Sequence, residues 1–306
     1  MLKLRPLALA MAAFAYTLST AQVALADDIE IYVTRDLPAD QRVRPNILFI
    51  LDSSGSMDTE VKGTKPKQNR NQVVKKVTQD LVDELKVGGD VNVGLMRFNT
   101  EDGGRVLYPV KRLTSDNAES LKSAIKAIDT SDWTPLSETL YEAYRYLTGQ
   151  SPHFAVGKGK ASVADSLRNG SYISPIEHSC QRTNIIFLTD GEPTRDVGAN
   201  SLIKTLAGAN DNWKAASCKS ADGQCLPHLA EYMANQDMAG GVTGKQVVNT
   251  YTIGFATDQQ LLKNTAEAGG GKYFTTSDVS GLTEAMKSII VEILAENTSF
   301  AAPSVA

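Results

Sequence analysis

Six consecutive residues with almost no polar side chain, Asn46 to Leu51, run directly into Asp52-Ser53-Ser54-Gly55-Ser56. An unbroken apolar run of this length suits a strand covered on both faces, as in a parallel sheet flanked by helices. In such sheets ligands bind beyond the carboxyl ends of the strands. The Asp-x-Ser-x-Ser run therefore sets one carboxylate and two hydroxyls at the mouth of a buried strand, an oxygen-rich cup for a hard divalent cation. Magnesium prefers oxygen ligands and keeps several waters, so Asp52, Ser54 and Ser56 are too few alone but suffice when two distant residues join them.

Two segments supply those residues. Ile185-Ile186-Phe187-Leu188 is a second apolar strand that ends in Thr189-Asp190-Gly191, and Trp133-Thr134-Pro135-Leu136 puts a hydroxyl just before a helical segment. The expected donor set is Asp52, Ser54, Ser56, Thr134 and Asp190, with Mg²⁺ as the ion and Mn²⁺ or Ca²⁺ as alternatives. Thr134 also has a plainer role open to it, since threonine is a common helix N-cap and Asp132 lies close by for the same purpose.

The first 26 residues read as a secretory signal: Lys3 and Arg5, an apolar stretch from about Leu7 to Leu18, and Ala24-Leu25-Ala26 as a small-residue cleavage site. The apolar stretch is shorter than the roughly 20 residues a membrane span needs, and no other segment is long or apolar enough to cross. The chain has 31 basic and 35 acidic residues. Loss of Lys3 and Arg5 leaves 29 basic residues against the same 35, a net charge of −6, which argues against a nucleic-acid partner.

Three cysteines in an exported chain predict one disulfide and one thiol left over, or a thiol whose partner lies on another chain. Cys218 and Cys225 enclose a short polar loop, and either could instead meet Cys180. Cys180 precedes the strand at 184–189, which sets it at the opposite edge of the sheet from the loop after Asp190 and favours Cys218–Cys225. His178 and His228 fall at no zinc-ligand spacing.

Strand-like and helix-like segments alternate along the chain and predict an α/β domain with a Rossmann-like, mostly parallel central sheet flanked by helices on both faces. Val73, Val74, Val77, Leu81, Val82 and Leu85 recur at helical spacing between Asn69 and Lys86. Val91 to Phe98 is a strand, and Arg105 to Val110 follows after one tight turn as an antiparallel edge. Helices are expected at 117–128, 135–147, 226–236, 259–268 and 281–296, with strands at 247–255 and 272–275. Residues 149–181 and 192–225 lack periodicity and read as insertions, the second overhanging the cation cup. Domain limits are thus 1–26 for the signal, 27–45 for an extension, 46–296 for the α/β domain and 297–306 for a linker or truncated end. Lys62 to Arg70 reads as a solvated basic loop that could greet acidic partners, and Trp133 as partly buried packing beside a helix start.

Asp52-x-Ser54-x-Ser56, Thr134 and Asp190-Gly191, in this order and each after an element of the right type, resemble the metal-ion-dependent adhesion site of von Willebrand factor type A domains. Narrower features, Thr134 to Ala143, Leu188 to Thr194, the two insertions and Asn297 to Pro303, resemble the amino-terminal part of PilY-type proteins associated with the tip of type IV pili. The resemblance implies an adhesion or pilus-assembly module. In it Ser54, Ser56 and often Thr134 hold the ion, Asp52 and Asp190 act directly or through water, and a protein partner such as a host surface protein or pilus component contributes an acidic side chain. It also implies the periplasm, cell surface or pilus tip of a Gram-negative bacterium. A structural or mechanosensing scaffold is the alternative. Catalysis is not expected, because His153, His178 and His228 lie far from every metal motif and no Gly-x-Ser-x-Gly elbow exists. In the PilY-type family a β-propeller follows this domain, whereas this chain stops at Ala306.

Overall fold

The computed structural model describes residues 43–88, 90–130, 133–207, 218 and 221–299. The expected signal segment, most of the extension after it, residues 300–306 and Asp132 lie outside the described residues. Among the described residues no helix is long and apolar enough to cross a membrane.

The elements follow in the order β1 (Asn46–Leu51), α1 (Arg70–Gly88), β2 (Asn92–Phe98), β3 (Gly104–Arg112), α2 (Ser115–Lys126), α3 (Leu136–Leu147), β4 (Leu167–Arg168), β5 (Ser171–Tyr172) and β6 (Thr183–Thr189). Then come α4 (Asn200–Ala207), α5 (Leu226–Asn235), β7 (Val248–Phe255), α6 (Gln260–Ala268), β8 (Gly270–Thr276) and α7 (Val279–Ser299). Six strands form the central sheet in the order β3-β2-β1-β6-β7-β8. All neighbours pair in parallel except β2 and β3, so the expected antiparallel edge is present. Pro109 within β3 fits an edge position, where a missing backbone N–H breaks no inner ladder. In β2, a Cβ on Gly94 would fall 2.5 Å from Val110 Cγ2, and the β2–β3 register shifts at this point, so glycine permits the close approach.

The alternation of side chains along β1 divides the core into two layers. Ile47, Phe49 and Leu51 pack with Val73 and Val77 of α1, Leu121 and Ile125 of α2, and Met286 and Ile289 of α7. Leu48 and Ile50 pack on the other side with Leu140 of α3, Ile203 of α4, Leu229 of α5 and Leu262 of α6. Each fully buried leucine or isoleucine contributes about 1.5–3 kcal/mol relative to exposure, and this two-sided cover explains the absence of alternation in the β1 sequence. The insertion at 149–181 is less superficial than its composition suggests: it carries the β4–β5 ribbon, and Phe154, Tyr172 and Ile176 are buried in the second layer.

From β1 the chain adds β2 and β3 on one side, then crosses to β6, β7 and β8 on the other. The connections leave β1 and β6 in opposite directions, which opens a crevice between their carboxyl ends. Leu51 stands beside Leu188 in the parallel register, so Asp52 and Asp190 emerge side by side at that crevice.

Candidate metal centre

The strand ends fix the two carboxylates. Asp52 continues the β1–β6 ladder by donating its backbone N–H to the Leu188 carbonyl at 2.9 Å. Its side chain turns back: Oδ1 accepts from the Ser54 backbone N–H at 2.6 Å, and Oδ2 accepts from the Thr189 hydroxyl at 2.5 Å and the Asp190 N–H at 3.2 Å. Asp52 is 1% exposed. Burial first and the Asp190 carboxylate second push its pKa up to about 6, because a second negative charge in a desolvated site disfavours ionisation.

After Asp52 the chain folds into a 3₁₀ turn, Gly55–Asp58, which brings the serines together. Ser54 Oγ and Ser56 Oγ lie 3.0 Å apart, and Ser56 donates a short hydrogen bond to Asp190 Oδ1. Ser53 points elsewhere, toward the Phe98 carbonyl at 3.3 Å, and ties the loop to β2. The one-in-two spacing of Asp52, Ser54 and Ser56 thus puts three oxygen-bearing side chains on one side of the loop.

Thr134 arrives from a third loop. Its backbone N–H donates to Thr194 Oγ1 at 2.9 Å and its carbonyl accepts from Thr194 N–H at 3.2 Å, which anchors the turn before α3 to the segment after Asp190. A Cβ built on Gly191 would stand 3.3 Å from Ser56 Oγ and 3.7 Å from Thr134 Oγ1. The two hydroxyls therefore border one small space that the missing side chain of Gly191 leaves open. The structure thus brings all five expected donors to the β1–β6 crevice.

Thr134 is not the cap of α3. Pro135 occupies the cap position and makes no side-chain cap hydrogen bond. The cap comes from Asp196, whose two carboxylate oxygens accept from the Ser137 and Glu138 N–H groups at 2.7 and 3.0 Å. Burial pushes Asp196 up to about 8, against the lowering effect of these two hydrogen bonds. Glu138 adds further ties by accepting from Gly103 N–H and Gly198 N–H at 2.8 and 2.7 Å. The Thr134 hydroxyl is left for the crevice.

Arg70 departs from expectation. It is not part of a solvated basic loop: it opens α1, its side chain is 19% exposed, and Nη1 donates to Asp190 Oδ2 at 2.7 Å. The Asp190 side chain is fully buried. Nothing in the sequence pairs positions 120 residues apart; only the start of a helix predicted from Asn69 hints that Arg70 is ordered. Trp133 is half-buried, with the Arg195 guanidinium 3.9 Å above its ring. Cys218 and Cys225 form the expected disulfide, and Cys180 is free and exposed.

Among the described residues no three His, Cys, Asp or Glu side chains cluster as a metal-binding group. The five residues gathered at the crevice offer instead two carboxylates and three hydroxyls, all oxygen. That set suits a hard ion that retains water, and is too poor in carboxylates and in soft atoms for zinc.

Residues 46–288 match the profile of the von Willebrand factor type A domain. No curated protein matches the chain by sequence. Similar solved structures include the von Willebrand factor type A protein from Catenulispora acidiphila, at 17% identity and TM-score 0.49, covering 83% of this chain and 43% of that one. Another is the D319A mutant of the PilB minor pilin from Streptococcus sanguinis, at 16% identity and TM-score 0.53, covering 86% of this chain and 64% of that one. The vWF domain of the type V pili tip protein Mfa5 from Porphyromonas gingivalis aligns at 14% identity and TM-score 0.49, covering 86% and 98%. The chain thus spans less than two thirds of the length of the first two. With the profile covering most of its length and the sheet order described above, the chain belongs to the von Willebrand factor type A domain family.

Proposed function

We propose that this domain is an exported, non-enzymatic adhesion or pilus-assembly module that captures an acidic side chain of a protein partner through a divalent cation, Mg²⁺ first among candidates. The observation that carries this reading is the meeting of Asp52, Ser54, Ser56, Thr134 and Asp190 at the β1–β6 crevice, where the Ser56 and Thr134 hydroxyls border the space beside Gly191. Ser54, Ser56 and Thr134 would hold the ion directly, with Asp52 and Asp190 acting directly or through water. A bound divalent cation supplies an electrophilic position that an incoming carboxylate completes. The chain's own part is to fix the hydroxyls on a short turn and to ration negative charge, so that positive charge remains for the partner. The pilus context rests on the resemblance of 134–143, 188–194 and 297–303 to PilY-type proteins. A minor pilin among the structures that share the fold is compatible with it.

Hydrolysis would need a base beside the ion. His153 instead packs edge-on against Tyr141 and Phe154, and His228 is buried on α5.

Binding of the purified protein to host cells and to pili, with and without chelator and beside Asp52→Ala, tests the proposal. Loss of binding in both is expected. Binding that survives both would sink the adhesion role. Thr134→Ala separates adhesion from the scaffold alternative, since it should spare the melting temperature while weakening capture.

A further inference from the structure

The five donors leave one charged neighbour unexplained. Arg70 Nη1 sits 2.7 Å from Asp190 Oδ2, on a carboxylate whose other oxygen already accepts from Ser56. Asp190 is fully buried and the guanidinium mostly so; this is a desolvated charge pair rather than a surface contact that salt would screen. A cation lodged against a metal-site carboxylate has two opposite consequences. It competes with an ion for the same negative charge, and it cancels one of the two carboxylates permanently. Counting only these groups, Asp52 and Asp190 carry two negative charges, and Arg70 returns one positive charge. A divalent ion then leaves the site at about +1 with Arg70 present and near zero without it.

We infer that Arg70 is a charge-setting residue of the site: it weakens the hold on the divalent cation and, in exchange, keeps the ion-loaded site positive enough to attract an acidic partner. This rests on the metal-site reading above and deepens it. Arg70 acts through Asp190, and its role is to position and to neutralise. The alternative, that Arg70 only orients Asp190 for the ion, predicts the reverse change in affinity, so the sign of one measurement separates them.

The test is calorimetric titration of the metal-free protein with Mg²⁺ and with Mn²⁺ alone, on wild type, Arg70→Gln and Arg70→Lys. Removing the positive charge paired with the Asp190 carboxylate should tighten binding about tenfold or more in Arg70→Gln. Arg70→Lys keeps the charge and should stay within about threefold of wild type. Equal or weaker binding by Arg70→Gln, with wild type binding normally, overturns the assignment and leaves the metal site standing. Failure of the wild type to bind either ion overturns the metal site and this inference together. If Arg70→Gln does not fold, Arg70→Met serves in its place, since it keeps the aliphatic stem. A lysine variant that tightens as much as the glutamine variant also overturns the charge argument, because the guanidinium's shape rather than its charge would then matter.

Discussion

At the scale of single residues, Gly191 decides more than its size suggests. No positive φ requires glycine there, so its role is space: a methyl group would press to 3.3 Å on Ser56 Oγ and 3.7 Å on Thr134 Oγ1. Gly191→Ala should therefore fold with a melting temperature within about 3 °C of wild type, a loss of under 1 kcal/mol. It should still weaken Mg²⁺ or Mn²⁺ binding severalfold in a calorimetric titration, because the Ser56 hydroxyl must shift by a few tenths of an ångström and the space between it and the Thr134 hydroxyl is filled. Unchanged ion affinity would show that the space beside Gly191 is not where the donors act. At this scale the sequence revealed Asp52, Ser54 and Ser56, because their spacing is local and follows an apolar run. It concealed Thr189, Thr194 and Arg70, whose roles exist only through contacts with residues far along the chain.

At the scale of elements, α3 shows why a local reading of caps fails. Threonine before Pro-Leu-Ser-Glu resembles an N-cap, yet Asp196, 59 positions beyond Ser137, takes that role. The helix start is thereby latched to the segment that follows Asp190, and the Thr134 loop cannot move without it. The same carboxyl makes the latch sensitive to pH. Its folded pKa is raised to about 8 from the ordinary value of 3.8, chiefly by burial. A raised acid is stabilising below the unfolded value, and that contribution is lost as pH rises through the folded value. Stability of the ion-free wild type relative to Asp196→Asn should thus fall between about pH 5 and pH 8, by roughly 3–4 kcal/mol. Urea unfolding in chelator at both pH values measures this. A flat difference would mean that the two backbone N–H donors hold Asp196 ionised throughout. The remaining elements were mostly legible, since apolar period and length define β1, β6, α1 and α7; the β4–β5 ribbon was not, because two-residue strands carry no period.

At the scale of the whole molecule, the sheet order makes the site. Three loops separated by more than fifty residues each meet only because β1 lies at the centre, β6 beside it, and α3 packs over β2 and β3 in the second layer. The apolar runs announced the parallel sheet, but convergence depends on strand order, which the sequence alone does not state. Assembly also stores a cost: Asp52 is buried beside Asp190, and its carboxyl is raised to about 6 by that burial and that neighbour. An ion bound to the folded state alone relieves it and adds stability by mass action, about 2.7 kcal/mol at a hundredfold excess over Kd. For a domain of this size that corresponds to a rise of roughly 5–10 °C in melting temperature. Saturating Mg²⁺ should produce such a rise over chelator in wild type, and Asp52→Asn should abolish the increment while still melting cooperatively. An equal increment in Asp52→Asn would place the stabilising ion elsewhere on the fold, and the crevice between β1 and β6 would then be an ordinary polar loop cluster.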